Sequence, residues 1–288
     1  MFGFELQFLK WLESIRTGFL TALFEGITIL GEETLIILLV VALWFAVDSK
    51  LAQKVFFITI CSTGLNGVVK NIAQVPRPFD KGITPVRQET ATGFSFPSGH
   101  TQNFATTSTF FAIKFKKKWF TILVSVLIAL VAFSRLYLGV HYPSDVIVGA
   151  GLGVAMAFLG DYLFDRAKDV KKLYVAVLLV FLPFIVYFLI VANERFADFF
   201  KVFGMMGGLT LLAFLQNKTE PISYDVVWWK KLIRIVIGVA LAFALKEGLK
   251  LLKMDILQVD LMLDAFRYFV VVFTVGYLCP LLFKKVKL

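Results

Sequence analysis

The chain has 288 residues, of which 59% are hydrophobic, whereas soluble domains are about 45–50% apolar. Its formal net charge is +10, but the basic residues lie in short clusters between long apolar blocks. That placement is typical of membrane topology signals, so we expect no nucleic-acid partner. Unbroken apolar runs of about 20 residues predict membrane-spanning helices. They exclude a membrane β-barrel, whose strands alternate in polarity.

The first 31 residues predict a separate N-terminal element. Residues 4–25 read FELQFLKWLESIRTGFLTALFE, with large apolar side chains near one helical face and charged side chains elsewhere. We expect this stretch to form an amphipathic helix that lies in the membrane interface. A helix that crosses the membrane is the alternative.

Nine apolar segments follow, and each predicts a spanning helix. They lie at roughly 33–47, 52–72, 98–114, 119–137, 145–164, 173–192, 199–215, 231–253 and 261–283. The fold class is therefore all-α, a polytopic membrane helical bundle of about nine transmembrane helices plus the N-terminal amphipathic helix. We divide the rest of the chain into a core over 32–168, which holds three polar motifs, and an extension of about four spans over 169–288.

Lysine and arginine in the connections predict the orientation. One set of loops and the C-terminal tail are rich in these residues, and the opposite set contains all three polar motifs. Because positive loops remain in the cytoplasm, we expect a cytoplasmic C-terminus and motifs on the outer, non-cytoplasmic face. With nine spans the N-terminus is also outside.

The motif SRLYLGVHYPSD, from Ser134 to Asp145, carries the most chemistry. Asp145 lies four residues after His141, and a carboxylate at that spacing can accept the imidazole Nδ1–H and leave Nε2 as a nucleophile. Arg135 adds a cation, and Pro143 is expected to open the next helix. A capped helix start is the structural alternative for the same residues.

The motif PSGH, at Pro97–His100, predicts the start of another helix. Proline suits a first helical turn, and Ser98 and Gly99 would offer backbone N–H groups to an anion at the helix N-terminus. His100 follows directly. A plain helix start with an interfacial histidine is the alternative.

The motif KNIAQVPRP supplies two more cations. Lys70 ends an apolar span, and Arg77 stands between two prolines that stiffen the backbone. Arginine offers a planar fork for phosphate oxygens and lysine a point charge. Snorkelling of Lys70 at a helix end is the alternative.

Both histidines of the chain fall in these motifs, at spans that open on the same face. No Asp/Glu cluster near the motifs is typical of a metal site, and Cys61 and Cys279 form no metal motif. We therefore expect no metal and no cofactor.

The order K-x6-RP, PSGH and SR-x5-H-x3-D resembles the signature of the type 2 phosphatidic acid phosphatase family, with every spacing matched. The family includes lipid phosphate phosphatases and glucose-6-phosphatase, and the resemblance covers roughly residues 50–165. GFSFPSGHTQ is also similar to sphingosine-phosphate phosphatases. The four further spans give a layout similar to glucose-6-phosphatase.

The resemblance implies a metal-independent phosphatase with a phosphohistidine intermediate. His141 would attack phosphorus, Asp145 would orient it, and His100 would protonate the leaving alkoxide. The residues implied to hold the phosphate oxygens are Lys70, Arg77, Ser98, Gly99 and Arg135.

The expected substrate is a lipid phosphate, such as phosphatidate, phosphatidylglycerophosphate, a polyprenyl phosphate or diphosphate, or a sphingoid-base phosphate. Two alternatives stay open: hydrolysis of a soluble ester, as in glucose-6-phosphatase, and a non-catalytic lipid-phosphate binder or transporter. No oligomeric state follows from the sequence.

Overall fold

The computed structural model describes residues 3–216 and 222–288, and the regular structure within these ranges is helical, without a β-strand. Helix is the form that lets a spanning segment satisfy its own backbone hydrogen bonds, and the predicted all-α class is confirmed for this part of the chain. The helices are α1 (Gly3–Ser14), α2 (Gly18–Thr28), α3 (Glu33–Ala42), α4 (Ser49–Ala73), α5 (Gly99–Phe115), α6 (Lys118–Tyr137), α7 (Pro143–Arg166), α8 (Val170–Val191), α9 (Ala197–Leu215), α10 (Trp228–Leu249), α11 (Leu257–Phe273) and α12 (Cys279–Lys285). Two π-helical turns, Leu43–Val47 and Thr274–Leu278, follow α3 and α11.

Six helical segments of the described ranges are long and apolar enough to cross a bilayer. They are Ser49–Lys81, Lys118–Tyr137, Pro143–Arg166, Val170–Val191, Glu194–Leu215 and Leu257–Lys285. A pair bent by 48°, Gly18–Gly31 and Glu33–Val47, makes seven if it forms one span. The predicted spans at 98–114 and 231–253 are helical too, but α5 has only 17 residues and α10 carries five charged residues in its sequence. The number nine therefore stays a prediction.

The N-terminal segment forms two helices, whereas the sequence predicts one helix over 4–25. The chain breaks at Thr17, whose backbone is extended (φ −128°, ψ 156°). The Thr17 hydroxyl accepts a hydrogen bond from the Leu20 N–H at 3.3 Å, which is how threonine starts a helix. The prediction of a single helix is therefore wrong, because a capping residue lies inside the stretch.

One face of α1 is buried in the part of the chain that holds the motifs. Leu9 and Leu12 are 1% and 0% exposed, whereas Phe4 on α1 is 80% exposed. The residues that form a core with Leu9 and Leu12 are Ile83, Leu136, Tyr142 and Val146. Burial of apolar area stabilises this docking by about 25 cal/mol per Å².

The chain divides into two compact units. The first comprises the residues up to Leu35 together with Cys61–Asp161, and the second comprises Ile36–Ile60 with Tyr162–Leu288. The units divide inside α3, α4 and α7, and the boundaries after residues 31 and 168 stay a prediction. The N-terminal helices belong to the same unit as all three motifs.

Buried polar side chains join α4 to α5 within the first unit. Asn66 Nδ2 donates to Gln102 Oε1 at 2.8 Å and to the Pro97 carbonyl at 3.3 Å. Gln102 Nε2 in turn donates to the Ser62 carbonyl at 2.7 Å, and Ser62 Oγ lies 2.7 Å from Thr106 Oγ1. Because buried polar groups need partners, this network fixes the loop that leads into α5.

Aromatic packing dominates the interior of the second unit. The Phe188 ring lies 4.9 Å from that of Phe196 and 5.3 Å from that of Phe199, centroid to centroid. α9 and α11 approach each other closely, since a Cβ on Gly204 would collide with the Ala265 carbonyl. This unit is therefore built from large rings and from a glycine that lets two helix backbones meet.

Candidate active site

The turn between α6 and α7 holds His141 beside Asp145, as their spacing predicts. His141 Nδ1 lies 3.1 Å from Asp145 Oδ2, and both side chains are buried. The same oxygen accepts from the Tyr142 N–H at 2.8 Å and from Ser95 Oγ at 2.5 Å. α7 begins at Pro143, as predicted. Because an ionised carboxylate can only accept, Nδ1 carries the ring proton and Nε2 carries the lone pair.

Arg77 lies against Nε2 of this histidine. Its Nη1 is 3.2 Å from His141 Nε2 and donates to the Val140 carbonyl at 2.9 Å. Its Nε donates to the Gly93 carbonyl at 3.1 Å, and its Nη2 donates to the Thr92 carbonyl. Three carbonyl groups therefore fix the plane of the guanidinium, so that its charge lies where an anion attacked by Nε2 would lie.

Arg135 is the second arginine of the site and is fully buried at the end of α6. Its Nη1 donates to Thr28 Oγ1 at 2.8 Å, and both terminal nitrogens lie 3.5 Å from Thr90 Oγ1. Its Nε has no hydrogen-bond partner among the described residues. This nitrogen is therefore able to donate to an anion.

The PSGH turn starts α5, but not at the predicted residue. Ser98 is the N-cap and the helix begins at Gly99, so Pro97 precedes the helix and does not occupy its first turn. The Ser98 N–H donates to the Asp145 carbonyl at 2.9 Å, which corrects the expectation that this N–H is offered to an anion. What Ser98 can offer is its hydroxyl, 3.0 Å from Thr101 Oγ1.

His100 and Lys70 lie beside this turn. His100 Nε2 is buried and has no hydrogen-bond partner within the described ranges. Lys70 is 8% exposed, and its Nζ is 3.9 Å from the point where a Cβ on Gly99 would lie. The ammonium group therefore reaches the N-terminus of α5, where the helix dipole adds positive potential.

The charges around His141 act on its ionisation. Burial holds the pKa of His141 well below its usual value of 6.5, and Arg77, Arg135 and Lys70 lower that pKa further. His100 acts in the same direction. The three predicted cations and the second histidine are thus within electrostatic reach of one imidazole, and the cations favour its neutral form.

Two hydroxyl groups of the site were not predicted. Ser95 bonds the Asp145 carboxylate and Thr28 bonds Arg135. Ser95 lies in the sequence FSFPSGH, three residues before the motif serine, and this closeness is the one signal that could have pointed to it. Thr28 lies 107 residues from its partner in a segment without polar motifs, so no sequence pattern marks it.

The polar groups brought together here suit an anion. They are three cations, the Ser98 hydroxyl, a helix N-terminus and two imidazoles, one of which is held by a carboxylate. Arginine forks and lysine are the usual ligands of phosphate oxygens. In residues 3–216 and 222–288, no group of three His, Cys, Asp or Glu side chains could hold a metal ion.

Comparison with known proteins gives consistent matches. The PAP2 superfamily model matches residues 51–169, and a model described as the PAP2 superfamily phosphatase transmembrane extension matches residues 200–288. Phosphatidylglycerophosphatase B of Bacillus subtilis is 32% identical over 171 residues, which are 55% of this chain and 82% of that protein. Undecaprenyl-diphosphatase of Sulfolobus acidocaldarius is 29% identical over 173 residues, which are 59% and 83% of the two chains.

A solved structure adds a further likeness. The crystal structure of the first transmembrane PAP2 type phosphatidylglycerolphosphate phosphatase from Bacillus subtilis has a TM-score of 0.49 and 29% sequence identity. The match covers 57% of this chain and 86% of that one.

The apolar helices and the histidine–carboxylate pair among buried cations define an integral membrane phosphatase. The matched relatives bear the names of phosphatases. The chain belongs to the PAP2 superfamily. The family resemblance that the three motifs predict is therefore confirmed.

Proposed function

We propose that this phosphatase hydrolyses a phosphate ester of a lipid through a phosphohistidine intermediate formed on His141. One observation carries the proposal: Asp145 holds His141 Nδ1 while Arg77 lies 3.2 Å from Nε2. The proposed nucleophile thus lies within hydrogen-bond distance of the carboxylate that orients it and of an arginine that can bind phosphate. That arrangement is the structural signature of an activated nucleophile.

The reaction has two steps. In the first, His141 Nε2 forms a bond to phosphorus, the ester P–O bond breaks, and His100 donates a proton to the departing alkoxide. In the second, His100 takes a proton from water, the hydroxide attacks phosphorus, and the Nε2–P bond breaks to release inorganic phosphate. The buried and unpartnered Nε2 of His100 supports its part in this proton transfer.

The phosphate is held by charges and not by covalent chemistry. Phosphoryl transfer depends on positioning and on stabilising negative charge spread over the equatorial oxygens. We assign this task to five groups: Lys70, Arg77, Arg135, the Ser98 hydroxyl and the Gly99 backbone N–H. Because three cations can neutralise that charge, we propose that the reaction needs no metal.

A lipid is the substrate class that the comparisons favour. The related proteins are named for lipid substrates, including phosphatidylglycerophosphate, undecaprenyl diphosphate, lipid A and dolichyl diphosphate. A site at a membrane face would admit the polar headgroup while the hydrocarbon chains remain in the bilayer. This reasoning ranks a lipid phosphate above a soluble ester.

We also propose the membrane arrangement. The chain has nine spans, an N-terminal element over 1–31 whose exposed apolar side chains meet lipid, a phosphatase core over 32–168, and a C-terminal extension over 169–288. Residues 1–2 and 217–221, including Lys218 of one basic loop, lie outside the described residues. The motifs face the outside and the C-terminus faces the cytoplasm, as the distribution of lysine and arginine favours.

Impermeant maleimide labelling of intact cells tests this orientation. Lys81→Cys and Lys168→Cys are compared in a variant that lacks Cys61 and Cys279. Both positions are exposed in the structure. We expect label on the first and none on the second, and the reverse result would contradict the orientation.

Phosphate release from a substrate panel tests the activity. The purified protein is given phosphatidate, phosphatidylglycerophosphate, undecaprenyl diphosphate, sphingosine phosphate and glucose 6-phosphate, each in excess EDTA. We expect turnover of at least one lipid and weak turnover of the sugar phosphate, with at least ~1000-fold loss in His141→Ala. If His141→Ala were as active as the wild type, the proposed mechanism would be wrong. A preference for glucose 6-phosphate would show that the substrate is a soluble ester.

A further inference from the structure

The position of Arg135 depends on a residue outside the three motifs. Of its hydrogen bonds described above, the one to Thr28 Oγ1 is 2.8 Å long, whereas the contacts with Thr90 are 3.5 Å. Thr28 is 0% exposed and ends α2. The N-terminal helix pair therefore supplies the best-formed bond to this guanidinium.

The segment that follows Thr28 lies directly against the PSGH motif. A Cβ on Gly31 would be 2.5 Å from the His100 carbonyl oxygen and 2.9 Å from the His100 Cβ. Such distances leave room for glycine alone unless the backbone shifts. Residues 28–31 thus contact Arg135 and His100, which belong to different motifs.

An ion pair fastens this segment to the loop before α5. Arg87 Nη2 is 2.9 Å from Glu32 Oε1, and both side chains are largely shielded from solvent. The Arg87 carbonyl accepts from Thr90 Oγ1 at 2.9 Å, and Thr90 is the other neighbour of Arg135. The loop and the N-terminal segment therefore hold Arg135 from two sides.

We propose that Thr28 is a positioning residue for Arg135 and that Thr28–Glu32 forms a fourth part of the phosphate site. The proposal rests on the proposed function in one respect, namely that Arg135 binds the phosphate. The PAP2 match begins at residue 51, so this fourth part lies outside the matched range. Thr28 and Thr90 both hold Arg135, and the shorter bond from Nη1 to the Thr28 hydroxyl contributes most to the orientation that phosphate needs.

A pair of substitutions isolates the hydroxyl. Thr28→Val keeps the shape and removes the hydrogen bond, and Thr28→Ser keeps the hydroxyl and removes a methyl group. Affinity for inorganic phosphate is measured in detergent from the rise of melting temperature with phosphate concentration, since a ligand of the folded state stabilises it. We expect Thr28→Val to bind phosphate roughly tenfold more weakly, and Thr28→Ser to restore most of that affinity.

A double-mutant cycle tests whether Thr28 acts through Arg135. In an Arg135→Met background, Thr28→Val should weaken phosphate binding no further, since the group it positions is gone. Arg135→Gln replaces Arg135→Met if the latter does not yield folded protein. The matched control is Thr107→Val, a buried threonine of α5 whose hydroxyl bonds the Asn103 and Phe104 carbonyls of its own helix, and it should bind phosphate as the wild type does.

Three results would overturn the proposal. They are unchanged phosphate affinity in Thr28→Val, an equal loss in Thr28→Ser, and a full additional loss in the Arg135→Met background. Because the readout is phosphate binding, it does not depend on turnover. A wild-type protein that binds phosphate but hydrolyses no ester would reject the proposed function and leave this test intact.

Discussion

Each of the two units buries two arginine side chains among the described residues, and the partners of these side chains differ. In the first unit Arg77 contacts His141 Nε2, and Arg135 donates to the hydroxyl of Thr28 beside it. In the second unit Arg234 donates to the backbone oxygens of Ser223 and Leu288 at 2.7 and 2.5 Å.

Arg267 follows the pattern of the second unit. Its Nη2 pairs with Asp264 Oδ1 at 2.7 Å, one helical turn away. An ionisable residue in a membrane segment is often functional, yet this pair is local. The difference teaches that burial of a cation does not define a site. What distinguishes the two cases is whether the partners of the cation orient it toward a reactive atom or only join neighbouring parts of the backbone.

The largest effect is expected from Arg77→Met. The change removes the charge next to His141 Nε2, so we expect kcat/KM to fall at least ~1000-fold. Arg77→Lys keeps a charge but not the fork, and we expect it to recover part of the loss. Phosphate release measured on protein of unchanged melting behaviour checks this. If Arg77→Met stays as active as the wild type, the distinction between the two pairs of arginines fails.

Asp145→Asn should have the next largest effect. An amide presents either an acceptor or a donor to His141 Nδ1, so the tautomer with the lone pair on Nε2 is no longer enforced. We expect kcat to fall roughly 100- to 10,000-fold, as for other orienting carboxylates. Single-turnover kinetics with a lipid phosphate measures it. A loss confined to KM would show that Asp145 binds substrate and does not orient the histidine.

Ser95→Ala should lower kcat by roughly tenfold. One of three donors to Asp145 Oδ2 is lost, while the Tyr142 N–H and His141 Nδ1 remain, and a hydrogen bond to a charged group contributes about 1.5–3 kcal/mol. The control is Ser125→Ala, an exposed serine of α6 that bonds the Thr121 carbonyl. Equal kcat values for the two variants would remove Ser95 from the site.

The ionisation of His141 can be read directly, because the chain has two histidines. In His100→Asn, ¹⁵N-labelled on histidine and purified without a polyhistidine tag, one imidazole remains. We expect its midpoint well below pH 6.5, since burial and nearby cations favour the neutral form. Adding Arg77→Met should raise the midpoint, because one cation that lowers the pKa is lost. A midpoint at or above 6.5 would contradict the electrostatics of the first unit.

The smallest effect on turnover is expected from Arg234→Met. Its partners are backbone oxygens of the second unit, so kcat/KM per folded molecule should stay within about twofold of the wild type. Two hydrogen bonds from a charged donor are lost, and each contributes about 1.5–3 kcal/mol, so the melting temperature should fall by several degrees. A large loss of turnover without loss of stability would show that the second unit contributes to catalysis.

The sequence predicts what local spacing encodes. His141 and Asp145 are one helical turn apart, so their pairing follows from the chain itself, and long apolar runs predict most helices. Contacts between segments that are far apart in the chain leave no spacing pattern in the sequence. Thr28 meets Arg135 across 107 residues and Ser95 meets Asp145 across 50. The break at Thr17 was missed because a capping threonine can also lie inside an amphipathic helix.

The three donors on Asp145 Oδ2 would also determine which isomer of the proposed covalent intermediate can form. With Nδ1 engaged, phosphorus can attach to the ring nitrogen remote from the backbone, which gives τ-phosphohistidine and excludes the π isomer. The two isomers differ in the scalar coupling of phosphorus to the ring protons. The NMR spectrum of a trapped intermediate would therefore show which ring nitrogen the carboxylate held.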